Sequence, residues 1–202
     1  MREHMNSSEP LSAGLKALPN KIDSFASTQA AWRFYSNESI SLSLLQHPLT
    51  AAAHEAIAKH CSQYALCVHD WSHLSYKHRN KPDTYAITHE TDIGYDLQTS
   101  LIVSDENGQP LAPVAQRLVS ADGSFATYGD DNAHLPVQDH LDEVSDCIRH
   151  LNGQGFSKAL VHLIDREGDS VRHIRLWDAA GCLWLVRAKD NPKVEHNGQA
   201  LA

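Results

Sequence analysis

Short apolar runs separated by polar segments dominate this chain from residue 64 onward, and they predict a sheet. Each run is rich in Val, Leu or Ile and too short for a typical helix. Five of them are interpreted as strands: 64–70, 94–104, 111–120, 159–165 and 181–188. A further short strand is expected near 85–88. The Asn-Gly and Pro residues of the turn at 105–110 indicate a hairpin between the second and third strands.

The segments before and between these strands are predicted to contain helices. We predict helices at 27–35, 51–62, 136–152 and 169–179, and apolar residues recur at helical spacing in the second and third of these. The order βββαβαβ after a helical N-terminal extension indicates an α/β fold with a mixed sheet. We therefore divide the chain into a helical N-terminal region, 1–62, and a sheet-containing core, 63–202.

Composition narrows the class of protein. The chain has 202 residues and 42% hydrophobic residues, enough for a globular core. Neither a signal peptide nor an apolar run of membrane-spanning length is apparent, so we expect a cytoplasmic protein without a membrane partner. Its four cysteines form no Cys-x-x-Cys pair, and we interpret those in strands as small buried hydrophobes.

Charge is unevenly distributed along the chain. The net charge is -8, and the segment from Asp105 to Asp146 holds nine acids and one base, Arg117. The rest of the chain is therefore neutral overall. Because nucleic-acid binders usually carry a basic surface, a polyanion would have to avoid this acidic segment. We expect the acids at 139, 142, 143 and 146 to form a solvated helix face.

Two of the predicted strands end in an acid. Asp70 follows the apolar run at 64–69, and Asp165 follows the run at 159–164. If these strands are neighbours, the two carboxylates reach one point, where they repel each other unless a cation intervenes. Hard divalent cations prefer such oxygen ligands. The pair therefore predicts a site for Mg²⁺, with Mn²⁺ as an alternative ion.

Four ordered motifs between about residues 25 and 195 resemble one known family. They are 31–37 (AWRFYSN), 70–78 (DWSHLSYKH), 165–169 (DREGD) and 187–189 (RAK). This set is similar to the motifs of DDE transposases of the bacterial cut-and-paste insertion-sequence type. In that family an acid precedes a Leu-Ser-Tyr-basic-His run, and a second acid opens an Asp-Arg-Glu-x-Asp motif.

The resemblance implies a ribonuclease-H-like fold, a catalytic pair and DNA partners. Asp70 and Asp165 would bind the Mg²⁺ ions that activate water, and later a DNA 3′-hydroxyl, for attack on phosphodiesters. Residues that would contact transposon-end DNA are Arg187, Lys189, Tyr76, Lys77 and His78. A homodimer, or a complex with a full-length transposase, is the expected assembly. Residues 1–62 would include a remnant of the DNA-binding part.

The sequence departs from that family at the third acid. The family carries a catalytic Glu on a helix after the fifth strand, within a Tyr-Arg-Glu-Lys signature. Glu195 lies in no helical pattern and no matching signature, so we do not assign it this role. Trp71 stands where the family has a small hydroxyl residue. We therefore expect a truncated transposase that does not cleave DNA alone.

Three other functions are compatible with the same residues. One alternative is a zinc hydrolase with histidine ligands, because three histidines lie near Asp70 in the sequence: His69, His73 and His78. A regulator that pairs with a full-length transposase is the main alternative, because the fold pattern persists without the third acid. A stand-alone ribonuclease-H-type nuclease would need further acids at matched strand ends.

Overall fold

The computed structural model of this chain describes residues 24–76, 81–129, 135, 137–189, 194–196 and 199–201. Two compact units divide the chain, Met1–Ser41 and Leu42–Ala202. In the first unit the described element is helix α1, Ser24–Tyr35, which agrees with the helix predicted from residue 27.

The second unit is mixed α/β, as the sequence predicts. Its described helices are α2 (Leu42–His60), α3 (His140–Asn152) and α4 (Val171–Ala179), with a 3₁₀ turn at Arg166–Gly168. Its described strands are β1 (Tyr64–Ser75), β2 (Tyr85–Ala86), β3 (Ile93–Ser104), β4 (Pro110–Ser120), β5 (Gly123–Ala126), β6 (Ala159–Ile164), β7 (Leu183–Val186), β8 (Val194–His196) and β9 (Gln199–Leu201).

Seven of these strands form one mixed, open sheet. The order is β5-β4-β3-β1-β6-β7, with the short β2 paired to β3. Strands β1, β3, β4 and β5 pair antiparallel, whereas β6 joins β1 and β7 joins β6 in parallel. The parallel pairs need crossovers, and α3 and α4 lie in the two connections. Strands β8 and β9 form a separate antiparallel pair.

Strand β1 is longer than its apolar run. We predicted its end at Asp70, but it continues to Ser75 because each residue to that point pairs with β3. Gly94 of β3 lies opposite Ser75, and a Cβ atom there would collide with the carbonyl oxygen of Leu74. The two backbones therefore approach more closely than any other residue at 94 allows. Asp70 lies within the strand rather than at its end.

Helix α2 begins earlier than the helix predicted at 51–62. It runs through Pro48, a residue that usually ends or kinks a helix. Packing against β4 supports it: the buried Gln46 side chain donates to the carbonyl of Pro113 at 3.2 Å. No helix in the described ranges is both long and apolar enough to cross a bilayer.

Other boundaries differ by a few residues. Helix α3 begins at His140, where the Asp139 side chain accepts from the backbone N–H of Leu141 at 3.0 Å. Pro136, where we placed its start, lies outside the described residues. Strand β5 is not among the predicted strands, because its run of four residues lacks a long apolar pattern.

Two apolar clusters hold the helices on the sheet. One joins α2 and α3 to β1, β3 and β4, with Ile57, Cys67, Ile102 and Leu151 almost fully buried. The other joins α3 and α4 to the β6–β7 side, around Val144, Ile164 and Trp177. Burial of this apolar surface is the main contribution to the stability of the sheet, including the part where β1, β6 and β7 lie side by side.

Candidate functional site

The two predicted acids lie side by side in the structure. His69 of β1 pairs with Ile164 of β6, and Ile164 pairs with Val186 of β7. The next residue on each chain segment is Asp70, Asp165 and Arg187 respectively. The carboxyl ends of parallel strands meet at one edge of a sheet, so these three residues occupy one row.

A single cavity contains that row. It has a volume of about 520 Å³, and Asp70, Asp165 and Arg187 all line it. The preceding residues on the same face, Val68, Leu163 and Leu185, supply an apolar floor. The structure thus brings together the two acids and one of the predicted DNA-contacting bases. Both carboxylates are exposed to solvent, as a site for an external ligand requires.

The turn after β6 orients the second acid. Oδ1 of Asp165 accepts from the backbone N–H of Glu167 at 2.9 Å, which caps the 3₁₀ turn Arg166–Gly168. Gly168 packs against the strand ends: a Cβ atom there would lie 2.7 Å from Cγ2 of Ile164 and 3.2 Å from Cγ1 of Val186. The turn therefore lies directly on the strands that carry the row.

We expect Gly168→Ala to destabilise the protein by about 1–2 kcal/mol, within the usual range for overpacking, because the opposing methyl groups must move. Urea unfolding of the variant measures the change. Gly153→Ala is the matched control, since its Cβ atom would meet nothing closer than a carbonyl at 3.3 Å. An effect at Gly168 no larger than at Gly153 would show that the turn is not tightly packed.

The other predicted DNA-contacting residues lie in different places. Lys189 is exposed two residues beyond Arg187, and its backbone N–H donates to Oδ2 of Asp169 at 2.8 Å. Tyr76 lies six residues beyond Asp70, about 20 Å along an extended strand. Its ring contacts that of Tyr95 edge-on, with centroids 5.3 Å apart, so it does not line the cavity. Lys77 and His78 lie outside the described residues.

A histidine that we did not predict connects the two acid-bearing segments. His140, the first residue of α3, contacts Asp96 of β3 through Nε2 and Glu167 through Nδ1, each at 3.0 Å. Its ring stacks on Trp71, with centroids 4.7 Å apart and planes 14° from parallel. Trp71 follows Asp70 on β1, and Glu167 lies two residues after Asp165. His140 therefore links both segments to β3.

The charges around His140 favour its protonated form. The hydrogen bond to Asp96 has the largest effect and raises the pKa of His140. Burial opposes that shift and the hydrogen bond to Glu167 adds to it, so the pKa is about 9. A cation at a helix N-terminus is opposed by the helix dipole, but two adjacent carboxylates outweigh that effect. Asp96 is only 2% exposed and also lies 3.1 Å from Nδ1 of His73. The imidazolium thus compensates a buried carboxylate.

On the opposite face of β1 and β6 lies a group of possible metal ligands. Cys67 pairs with His162 across the two strands, and His69 follows two residues after Cys67. The ligand atoms of these three buried residues all lie within 4.8 Å of one another. The structure therefore contains a set of soft donors besides the two carboxylates.

The donor and the acceptor of each hydrogen bond in this group follow from the one at Asn152. Asn152 Oδ1 only accepts, so Nε2 of His162, 3.2 Å away, carries the proton. Neutral His162 accepts at Nδ1 from Nε2 of His69 at 2.9 Å. Ser100 then donates to Nδ1 of His69 at 2.8 Å and accepts from the thiol of Cys147 at 3.1 Å.

Burial keeps both imidazoles neutral. It lowers the pKa of His69 well below its usual value, with a smaller contribution from His162, and it lowers the pKa of His162 to about 4. His69 therefore belongs to a buried network, whereas His73 pairs with Asp96. A hydrolase site made of His69 and His73 together is not formed, and His78 is outside the described residues.

The acidic helix face contains one residue that is not solvated. Glu143 has no exposed surface, and its Oε1 lies 3.3 Å from Nε of Arg117, itself 1% exposed. The expectation for Glu143 was therefore wrong. Burial raises the pKa of its carboxyl, and the Arg117 charge opposes that shift. The single base of the acidic segment is the signal that could have indicated this pair.

The remaining unpredicted residues carry weaker sequence signals. Cys67 and His69 alternate on β1 with the exposed Asp70, so strand periodicity places them on the covered face. His162 occupies the same face of β6. Their contact with each other depends on which strands are neighbours, which a single sequence does not specify.

We compared the chain with protein families and with curated proteins. No known family model matches the chain, and no curated protein matches it significantly. Any functional assignment therefore depends on the site itself.

Proposed function

We propose that the sheet-containing unit is a transposase-like, ribonuclease-H-like core of the DDE type, and that Asp70 and Asp165 hold Mg²⁺ for phosphodiester chemistry on DNA. The observation that carries this proposal is the shared row of Asp70, Asp165 and Arg187 around one cavity. Two strands 95 residues apart in sequence bring their acids to adjacent positions, in the order of the motifs that resemble the family.

The chemistry of this row suits a divalent cation and a phosphate. Two adjacent carboxylates are stabilised by a cation between them, and Mg²⁺ is commonly held by one or two carboxylates with substrate phosphates. Mn²⁺ accepts the same donors. The planar guanidinium of Arg187 can donate two hydrogen bonds to a phosphodiester, and Lys189 beyond it adds a point charge.

The distribution of charge is compatible with a DNA partner at this edge. Strands β4 and β5 contain none of the nine acids of segment 105–146, and four of them, at 139, 142, 143 and 146, lie on or next to α3. Helix α3 packs on the covered face of the sheet, whereas the row of Asp70, Asp165 and Arg187 lies on the opposite face. Transposon-end DNA would approach from the β7 side, where Arg187 and Lys189 lie.

The described residues supply two of the three acids that the family resemblance implies. Beyond β7 they form the β8–β9 hairpin, and no helix is among them. Two carboxylates bind Mg²⁺ weakly, since the ion keeps most of its waters. We therefore expect metal binding without DNA cleavage by this chain alone, and strand transfer only with a third carboxylate from elsewhere.

Calorimetric titration of Mg²⁺ and Mn²⁺ tests the proposal. We expect weak binding by the wild type and a loss of about tenfold or more in affinity for both Asp70→Asn and Asp165→Asn. Asn keeps the capping acceptor of Asp165, so the turn is preserved. Asp178→Asn, at an exposed position of α4, is the control and should bind normally. Metal affinity that is unchanged in both variants, or reduced in only one of them, contradicts a shared site.

A non-catalytic regulator of a full-length transposase is the second candidate. Strand β7 is at the edge of the sheet, and its Leu183 and Leu185 side chains are 44% and 62% exposed. An apolar edge strand favours pairing with another chain. Co-purification with a full-length relative, lost on Leu185→Lys, would favour this function.

A further inference from the structure

We propose that Cys67, His69 and His162 form a second metal site, which binds one Zn²⁺ ion inside the fold and is independent of the carboxylate row. One thiol and two imidazoles are a borderline-soft donor set that suits zinc better than magnesium. All three side chains are 2% exposed or less. Three protein ligands leave the fourth position of a tetrahedral ion to a water molecule. Because the three side chains lie on the covered face of the sheet, the ion would be separated from the carboxylate row.

The spacing of the donor atoms is close to that of a tetrahedral site. Zinc bonds of about 2.0–2.1 Å to nitrogen and 2.3 Å to sulfur place ligand atoms about 3.3–3.6 Å apart. The three donor atoms here lie within 4.8 Å of one another, and the two nitrogens, Nε2 of His69 and Nδ1 of His162, lie 2.9 Å apart. The ion would replace one hydrogen bond and separate the two rings by about half an ångström.

Both imidazoles have a second partner that holds them in the ligating orientation. With zinc at Nδ1 of His162, its Nε2–H still donates to Asn152 Oδ1. With zinc at Nε2 of His69, its proton moves to Nδ1 and donates to Ser100 Oγ, whose hydroxyl turns to Cys147. Acceptors on the far ring nitrogens are a usual feature of metal-binding histidines.

Binding of the ion changes the number of protons that the three ligands carry. An imidazole binds a metal ion in its neutral form, so His69 needs only a change of tautomer. The Cys67 thiol must release its proton to become a thiolate. A coordinating divalent ion deprotonates a thiol outright. Each bound ion therefore releases one proton to solvent.

Cobalt and zinc titrations of metal-free protein test this site. We expect one Co²⁺ per chain, a thiolate-to-cobalt charge-transfer band in the near ultraviolet, and displacement of Co²⁺ by Zn²⁺. Cys67→Ser should remove the band and weaken binding about a hundredfold or more, since even loss of a supporting partner weakens metal sites by 10–100-fold. Cys61→Ser, a buried cysteine outside the group, is the matched control.

Two further measurements keep the outcome decisive. Asp70→Asn and Asp165→Asn should leave the cobalt band intact, so failure of the magnesium proposal does not affect this one. X-ray absorption of zinc-loaded wild type should show one sulfur and two imidazole nitrogens, even if Cys67→Ser fails to fold. Absence of stoichiometric binding, a band that survives Cys67→Ser, or a different donor set overturns the proposal.

Discussion

Arg117→Met is expected to destabilise the protein by about 3–5 kcal/mol, because it leaves the carboxylate of Glu143 buried without its cation. The two side chains are 1% and 0% exposed, and Nε of Arg117 also donates to Ser124 Oγ at 3.0 Å. Part of the effect is relieved if Glu143 takes up a proton, a change that burial already favours. The variant should therefore be less destabilised at acidic pH.

Urea unfolding at pH 7 measures this effect against a neighbouring surface pair, whose acid, Asp146, also lies 3.8 Å from Nη1 of Arg117. Arg149 lies 2.9 Å from Asp146, closer than Arg117 lies to Glu143, but its side chain is 77% exposed. Arg149→Met should change the unfolding free energy by less than about 1 kcal/mol, since solvent screens such pairs. Arg117→Met/Glu143→Leu should recover most of the loss. Equal effects at Arg117 and Arg149 would mean that burial of the first pair contributes nothing.

Stability is also expected to fall as the pH rises from about 6.5 through 9, because of His140. Its pKa is 6.5 in the unfolded chain and about 9 in the fold, so protonation favours the folded state. This contribution is fully present below pH 6.5 and is lost as the pH passes through 9. The side chain is 36% exposed, and screening reduces the linked free energy to about 1–2 kcal/mol.

His140→Gln should remove this alkaline decline and lower stability at pH 7 by about 2–3 kcal/mol, since Asp96 loses its cation. Unfolding curves at pH 6.5, 8 and 9.5 show both effects. Glu167→Gln removes only the exposed partner and should reduce the decline without abolishing it. A pH profile of His140→Gln that parallels the wild type would assign the decline to another group.

Local sequence pattern predicts the strands and the acid pair better than it predicts the helix boundaries. Val, Leu and Ile runs mark β1, β3, β4, β6 and β7, because buried strands need apolar side chains on at least one face. The adjacency of Asp70 and Asp165 follows once β1 and β6 are neighbours. Proline usually ends or kinks a helix, and this local preference led us to begin the helix after Pro48. Helix α2 nevertheless passes through Pro48, because its contact with β4 outweighs that preference.

The network around His69 and the contacts of His140 could not be predicted in the same way. His140 lies 44 residues from Asp96 and 27 from Glu167, and no spacing rule connects such positions. The direction of hydrogen bonding from Cys147 to Asn152 likewise depends on side-chain packing between α3 and the sheet. The ribonuclease-H-like assignment, the DNA contacts and the role of Mg²⁺ remain predictions that the experiments above test.

Strand β1 carries carboxylate chemistry on one face and thiol–imidazole chemistry on the other. Asp70 faces the cavity, and Cys67 and His69 alternate with it toward the core. Insertion of one residue before Cys67 would slip the pairing register and exchange the two sets, burying a carboxylate and exposing a thiol. Deletions or insertions of two residues would preserve the facing but move Asp70 about 7 Å along β6, out of the row with Asp165. Both sets of residues therefore depend on the same pairing register of β1 and β6.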